Sequence, residues 1–207
     1  MSRIPLLYIH GMGGGADSRI PSILKEYYPD LVVKTYSFDP DHAQLQLKSW
    51  IEELQPCILV GESLGAVHTL VLHHSYPDIP LVLVSPALNA PRVLSFASAV
   101  ALCPGVPALL GRIYHPRPGD RQELTFSPAL LSHWKPYCSL CYNQERKDNI
   151  SAFFGTRDHY RRSGIVSLRS WKKNFPEDSY SIYEGTHYME EEYVRTILLQ
   201  KIRSIMQ

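Results

Sequence analysis

The sequence predicts an α/β protein with a mostly parallel central sheet of about six strands, covered by helices on both faces. Three observations predict it. Short apolar runs alternate along the chain with stretches of helical periodicity. Most of the runs are apolar throughout, as strands buried on both faces must be. Helical stretches follow strands in the βαβ order that sets neighbouring strands parallel.

The first strand is read at 6–9, with Pro5 at its start. A helix over 18–28 places Ile20, Ile23, Leu24 and Tyr27 on one face. The second strand is read at 31–38. Asp39-Pro40-Asp41 then opens a helix with the stripe Leu47, Trp50, Ile51 and Leu54, and Pro56 closes it. The third strand, 57–61, leads into a helix over 64–74 carrying Leu64, Val67, Leu70 and Val71. The fourth strand is 81–85. The fifth is 150–154, followed by a helix over 164–175 with Ile165, Leu168 and Trp171 on its buried side. The sixth is 179–184. A last helix, 190–206, turns Val194, Ile197, Leu198, Ile202 and Ile205 inward.

The alternation breaks between the fourth and fifth strands. Pro86, Pro91, Pro104, Pro107, Pro116, Pro118, Pro128 and Pro136 leave no room for a long helix. Short apolar pieces fit between them at 93–102, 108–114 and 129–134. A connection this long and irregular is usually functional.

Four segments carry chemistry. Gly61-Glu62-Ser63-Leu64-Gly65 joins a strand to a helix, the setting of a nucleophile elbow. There the serine sits on a strained turn with its hydroxyl above the sheet, and glycine gives neighbouring backbone room. His10-Gly11-Met12-Gly13-Gly14-Gly15 follows the first strand and lets backbone N–H groups face a ligand. A phosphate loop fails on detail, because neither Gly-x-Gly-x-x-Gly nor Gly-Lys-Ser/Thr is present. Gly155-x-x-Asp158 and Gly185-x-His187 close the fifth and sixth strands. Open α/β sheets bind their ligands at such strand ends.

With these segments in the order Ser63, Asp158, His187, the chain resembles the α/β-hydrolase superfamily, in its small single-domain serine esterase form. The resemblance spans nearly the whole sequence and implies the α/β-hydrolase fold, with 87–149 as a short helical cap insertion within one domain, 1–207. The two N-terminal strands of the full family fold have no counterpart. By resemblance Ser63 is the nucleophile, His187 the base and Asp158 the orienting acid. The oxyanion donors are the backbone N–H of Leu64 and that of Met12, with Gly11 and Gly13 as alternatives to Met12. The implied reaction is cleavage of a carboxylic ester or thioester through an acyl-enzyme, with no cofactor and no metal. A lyase, an acyltransferase or a non-catalytic ligand-binding protein on the same frame stays open.

Other residues weigh less. His159 is the rival base, but neighbours on an extended chain point apart, so it cannot easily share Asp158. His42, His68, His73, His74, His115 and His133 have no motif around them, and His10 is read as structural. Glu184 is the substitute acid. Glu62 is read as facing solvent, the alternative being a carboxylate that bears on a nearby histidine. Arg157, Arg161 and Arg162 read as a solvated loop face, with an anionic substrate group as the alternative.

Composition bounds the rest. The 207 residues are 44% hydrophobic and 20% charged, ordinary values for one globular domain. A net charge of +1 argues against nucleic acid or an anionic membrane as partner. No apolar stretch is long enough to span a bilayer and no leader pattern precedes the first strand, so a cytoplasmic protein acting on a small acyl substrate is expected. Cys138 and Cys141 have zinc-knuckle spacing without a second ligand pair, and read as free thiols.

Overall fold

Successive side chains along the buried strands alternate between two core clusters, and this period of two fixes the layers. Leu7, Ile9, Leu59, Leu81, Leu83, Ala152 and Phe154 pack on one face of the sheet, and Leu6, Tyr8, Ile58, Val60, Val82, Val84 and Phe153 on the other. The computed structural model describes residues 5–114 and 119–207, so Ile4, His115, Pro116 and Pro118 lie outside the described residues.

The strands are β1 (Leu6–Ile9), β2 (Val32–Val33), β3 (Ile58–Glu62), β4 (Leu81–Val84), β5 (Ile150–Gly155) and β6 (Tyr180–Tyr183). They form one sheet in the order β2-β1-β3-β4-β5-β6, and all five pairings are parallel. The chain winds outward from β1 to β2, crosses back to β3, and then runs the other way. The reversal lies between β1 and β3, whose register sets Ile9 against Gly61. The C-terminal ends of these two strands bound the crevice where open sheets bind ligands.

Helices α1 (Arg19–Tyr27), α2 (Pro40–Leu54) and α3 (Leu64–His73) cover the first half. α2 starts as its sequence dictates: Asp39 Oδ1 accepts from the N–H of Asp41 at 3.0 Å, and Pro40 takes the first helical position. α1 packs with the C-terminal helices on one face, while α2 and α3 cover the other.

The insertion divides in two. Helices α4 (Ala90–Val100) and α5 (Val106–Ile113) bury little, and Phe96 and Leu102 are each 73% exposed. Helices α6 (Pro128–Ser132) and α7 (Tyr137–Leu140) belong to the core instead. Leu131 and Trp134 are fully buried, Trp134 against His68 of α3 and Phe38. Half of the insertion therefore covers the sheet as an ordinary layer.

Three expected boundaries move. The second strand pairs over two residues, not 31–38, because residues 35–37 bond away from the sheet. Thr35 Oγ1 donates to Asp120 Oδ1 at 2.7 Å, the Tyr36 hydroxyl donates to the His10 carbonyl, and the Ser37 carbonyl accepts from Gln122 Nε2 at 3.1 Å. The helix expected over 164–175 is shortened to its C-terminal part, with a separate short helix before it. Asp158 caps α8 (His159–Arg162), Gly164 takes φ +77, and Ser167 caps α9 (Leu168–Asn174). The last helix is interrupted. A π-helical turn, Val194–Leu198, joins α10 (Glu191–Tyr193) to α11 (Leu199–Met206). No helix among the described residues is long and apolar enough to cross a membrane.

Candidate active site

β3 ends in Glu62, and Ser63 follows at φ 54, ψ −116. A non-glycine residue rarely takes this conformation, and the surrounding structure must hold it. It does so on both sides: the Ser63 N–H donates to the Val84 carbonyl at 2.9 Å, and its carbonyl accepts from Ala87 N at 3.1 Å. The flanking glycines let the backbone close in. A side chain at Gly65 would collide with the carbonyls of Ile9 and His10, and one at Gly61 with Thr69 Oγ1 and Ala66.

The structure brings Ser63, His187 and Asp158 together. His187 Nε2 stands 2.9 Å from Ser63 Oγ, and His187 Nδ1 stands 2.8 Å from Asp158 Oδ2. An ionised carboxylate only accepts, so Nδ1 carries the proton and the Nε2 lone pair faces the hydroxyl. Asp158 and His187 are buried while Ser63 remains partly exposed. The other Asp158 oxygen accepts from Tyr160 N at 2.8 Å, so the acid is held from two directions. The loop carrying His187 is tied down by Tyr183, whose hydroxyl donates to the Thr186 carbonyl at 2.8 Å, and by Arg157 N donating to the Gly185 carbonyl at 2.8 Å.

His159 does not reach the acid. Its ring stacks loosely on Tyr160, 6.0 Å from the His187 ring. Tyr160 meets His187 edge-on at 4.6 Å, and burial pushes its phenol up to about 12. Glu184 is exposed and joins the site only through its carbonyl, which accepts from Arg157. Arg161 donates to the Gly155 carbonyl at 3.0 Å. His10 and His68 are buried, and burial lowers both, His68 to about 3, so they are neutral imidazoles within the core.

The glycine loop lies beside the serine, with Gly11 packed against the Ser63 side chain. Gly14 N donates to the Gly11 carbonyl at 3.0 Å, and Gly13 N donates to Gln122 Oε1 at 3.1 Å. Gln122 was not legible in the sequence, because a lone glutamine in a proline-rich stretch matches no motif.

Glu62 corrects the expectation of a solvent-facing carboxylate. It turns inward and accepts from the Tyr8 hydroxyl at 2.7 Å, because the pleat that lifts Ser63 above the sheet sends its neighbour to the helix-covered face. Burial raises its pKa, against the pull of that hydrogen bond and of His187. A carboxyl with a raised folded pKa holds its proton more tightly when folded. Its contribution to stability is thus present in acid and lost as pH climbs from the ordinary carboxylate range to the raised value. Glu62→Gln, which keeps an acceptor for Tyr8, is expected to be more stable than the parent at neutral pH. The gain should vanish in acid. Urea melts across that range measure it, and a gain independent of pH would contradict the buried-carboxyl account.

Among the described residues, the one cluster with metal-ligand spacing is Asp39, Asp41 and His133. Asp39 Oδ1 already caps α2 and Oδ2 meets His133 Nδ1 at 3.0 Å, which accounts for the cluster without an ion. Cys138 and Cys141 are free, and burial raises both thiols, Cys141 to about 12, so neither is poised as a thiolate ligand.

No family model matches the chain, and no curated protein matches it. Solved structures do. A monoacylglycerol lipase from Paleococcus ferrophilus is 18% identical with a TM-score of 0.63, over 97% of this chain and 93% of its own. Alpha/beta hydrolase domain-containing protein 10 from mouse is 14% identical with a TM-score of 0.67, over 98% and 89%. A variant of tomato methylketone synthase I, complexed with β-ketoheptanoate, is 16% identical with a TM-score of 0.65, over 99% of each chain.

Proposed function

From the α/β-hydrolase fold of this chain we infer that it is a serine hydrolase acting on carboxylic esters or thioesters. The observation that carries the reading is the hydrogen-bonded line Asp158–His187–Ser63, ending on a partly exposed hydroxyl at a strained elbow.

In this reading His187 Nε2 takes the Ser63 proton as Oγ attacks the acyl carbonyl. Asp158 holds the imidazole in its tautomer and stabilises the imidazolium. The tetrahedral oxyanion is met by the N–H of Leu64, the residue after the nucleophile, and by that of Met12. Gly13 and Gly14 already donate within the protein, which favours Met12 over Gly13 for the second donor. Each donor of this kind contributes ~3 kcal/mol to the transition state. The imidazolium gives its proton to the leaving alcohol or thiol, and water releases the acyl group by the same steps.

The exposed helices α4 and α5 are proposed as the cap part of the 87–149 insertion. Four unpaired cysteines are in keeping with a reducing, cytoplasmic compartment.

The test is labelling with a fluorophosphonate probe and peptide mapping, followed by a panel of p-nitrophenyl esters and acyl-CoAs against Ser63→Ala. Modification at Ser63 with turnover of at least one acyl class is expected. Modification elsewhere, or none in folded protein, ends the reading. Labelling at Ser63 without turnover of any ester or thioester points to another reaction at the same residues.

A further inference from the structure

We infer that Gln122 is a positioning residue that braces the oxyanion loop from the insertion. The inference rests on the serine hydrolase reading and adds a component to it. Gln122 is 1% exposed, and both ends of its side-chain amide bond to backbone. Oε1 accepts from Gly13 N at 3.1 Å, Nε2 donates to the Ser37 carbonyl at 3.1 Å, and its own N–H donates to the Gly14 carbonyl at 2.9 Å. One side chain thus ties the glycine loop after β1 to the segment after β2.

The brace has a frame. Gly15 and Arg121 form an antiparallel bridge. Arg121 pairs with Asp17 at 2.9 Å, and Thr35 Oγ1 holds Asp120 Oδ1 at 2.7 Å. Gly15 is needed there, since a Cβ would strike the Asp120 carbonyl. The return arm of the insertion is therefore stitched to the loop at Arg121, next to Gln122, and to the segment after β2 at Asp120.

The chemical consequence follows from glycine. Gly13 sits at φ +68 among three consecutive glycines, a run whose peptide planes turn at low cost. An oxyanion hole works only if its donors are already aimed. Holding the Gly13 N–H on Gln122 fixes the orientation of the peptide that follows Met12, and so the path of the chain through the Met12 N–H. Gln122 touches no reacting atom and acts through the loop.

The experiment compares Gln122→Met, close in volume but without the hydrogen bonds, with the parent. Its readouts are p-nitrophenyl butyrate kinetics, thermal melting and amide hydrogen exchange at Gly13. Expected are a kcat lower by about 10- to 100-fold, a KM within about twofold, a small shift in Tm, and faster Gly13 exchange. Gln122→Glu keeps an acceptor for Gly13 and is expected to retain more kcat than Gln122→Met. Unchanged kcat, a rise in KM alone, or unchanged Gly13 exchange overturns the assignment.

A measurement on the parent protein needs no variant to fold. Phosphonylation of Ser63 is expected to slow amide exchange at Met12 and leave Gly13 as it was. Slowing at Gly13 instead of Met12 overturns the assignment, because Gln122 would then have released the donor that the oxyanion uses. If Ser63 takes no phosphonate, the hydrolase reading falls and the catalytic role of Gln122 with it. Gly13 exchange in Gln122→Met then reports the brace by itself.

Discussion

Ser63→Ala is expected to lower kcat by about 10⁴- to 10⁶-fold, and His187→Ala by a similar factor. The two groups act as one unit across a 2.9 Å hydrogen bond, so the double variant should be scarcely worse than either single one. Asp158→Asn is expected to lose less, about 10⁴-fold. The substituted side chain would still accept from Tyr160 N through its carbonyl oxygen, leaving the loop in place. Its amide NH₂ would then face His187 Nδ1, favouring the tautomer with the proton on Nε2, where the lone pair is needed. Steady-state rates for the three single variants and the double variant measure this. Additive losses for Ser63 and His187 would show that they do not share a step. Full activity in Asp158→Asn with loss in Glu184→Gln would move the acid to Glu184.

Gly65→Val is expected to yield no folded protein. The new Cβ would enter the space of the Ile9 and His10 carbonyls. Those carbonyls cannot yield, because β1 is clamped between β2 and β3 and the Tyr36 hydroxyl holds the His10 oxygen. Backing α3 away instead would open the core around Leu64, Val67 and Leu70, which are all buried. Either adjustment costs more than ~4 kcal/mol, a large part of a domain's total stability. Far-ultraviolet circular dichroism and soluble yield decide it. A variant that melts with the parent would mean that α3 does not start against β1.

The sheet was legible because its signal is local. Burial on both faces makes a strand apolar throughout, and each helix announces its face by spacing. The C-terminal strand ends were legible for the same reason, and Ser63, Asp158 and His187 were named from the glycine motifs that stand on them and the resemblance those motifs carry. What escaped depends on partners distant in sequence. Thr35 and Ser37 read as strand but bond to Asp120 and Gln122, and no local pattern carries that choice. Trp134 read as part of a cap because its proline-rich surroundings look alike whether they cover a sheet or a site. Glu62 was misread because a lone carboxylate before a serine is ordinarily solvated, and only Tyr8, 54 residues away, gives it an inward partner.

The second core face joins the two ends of the chain. Leu6 and Tyr8 of β1 pack in one cluster with Val194, Leu198 and Ile202 of the C-terminal helices. During synthesis these partners are separated by nearly the whole sequence. At ~5–20 residues per second, β1 leaves the ribosome roughly 10 to 40 s before the residues that seal it. Over that interval one side of the sheet's oldest strand has no cover from the C-terminal helices, while the face under α2 and α3 can already close. Arrested nascent chains ending before residue 194 should therefore be the ones that recruit a holdase chaperone, and release past residue 202 should discharge it.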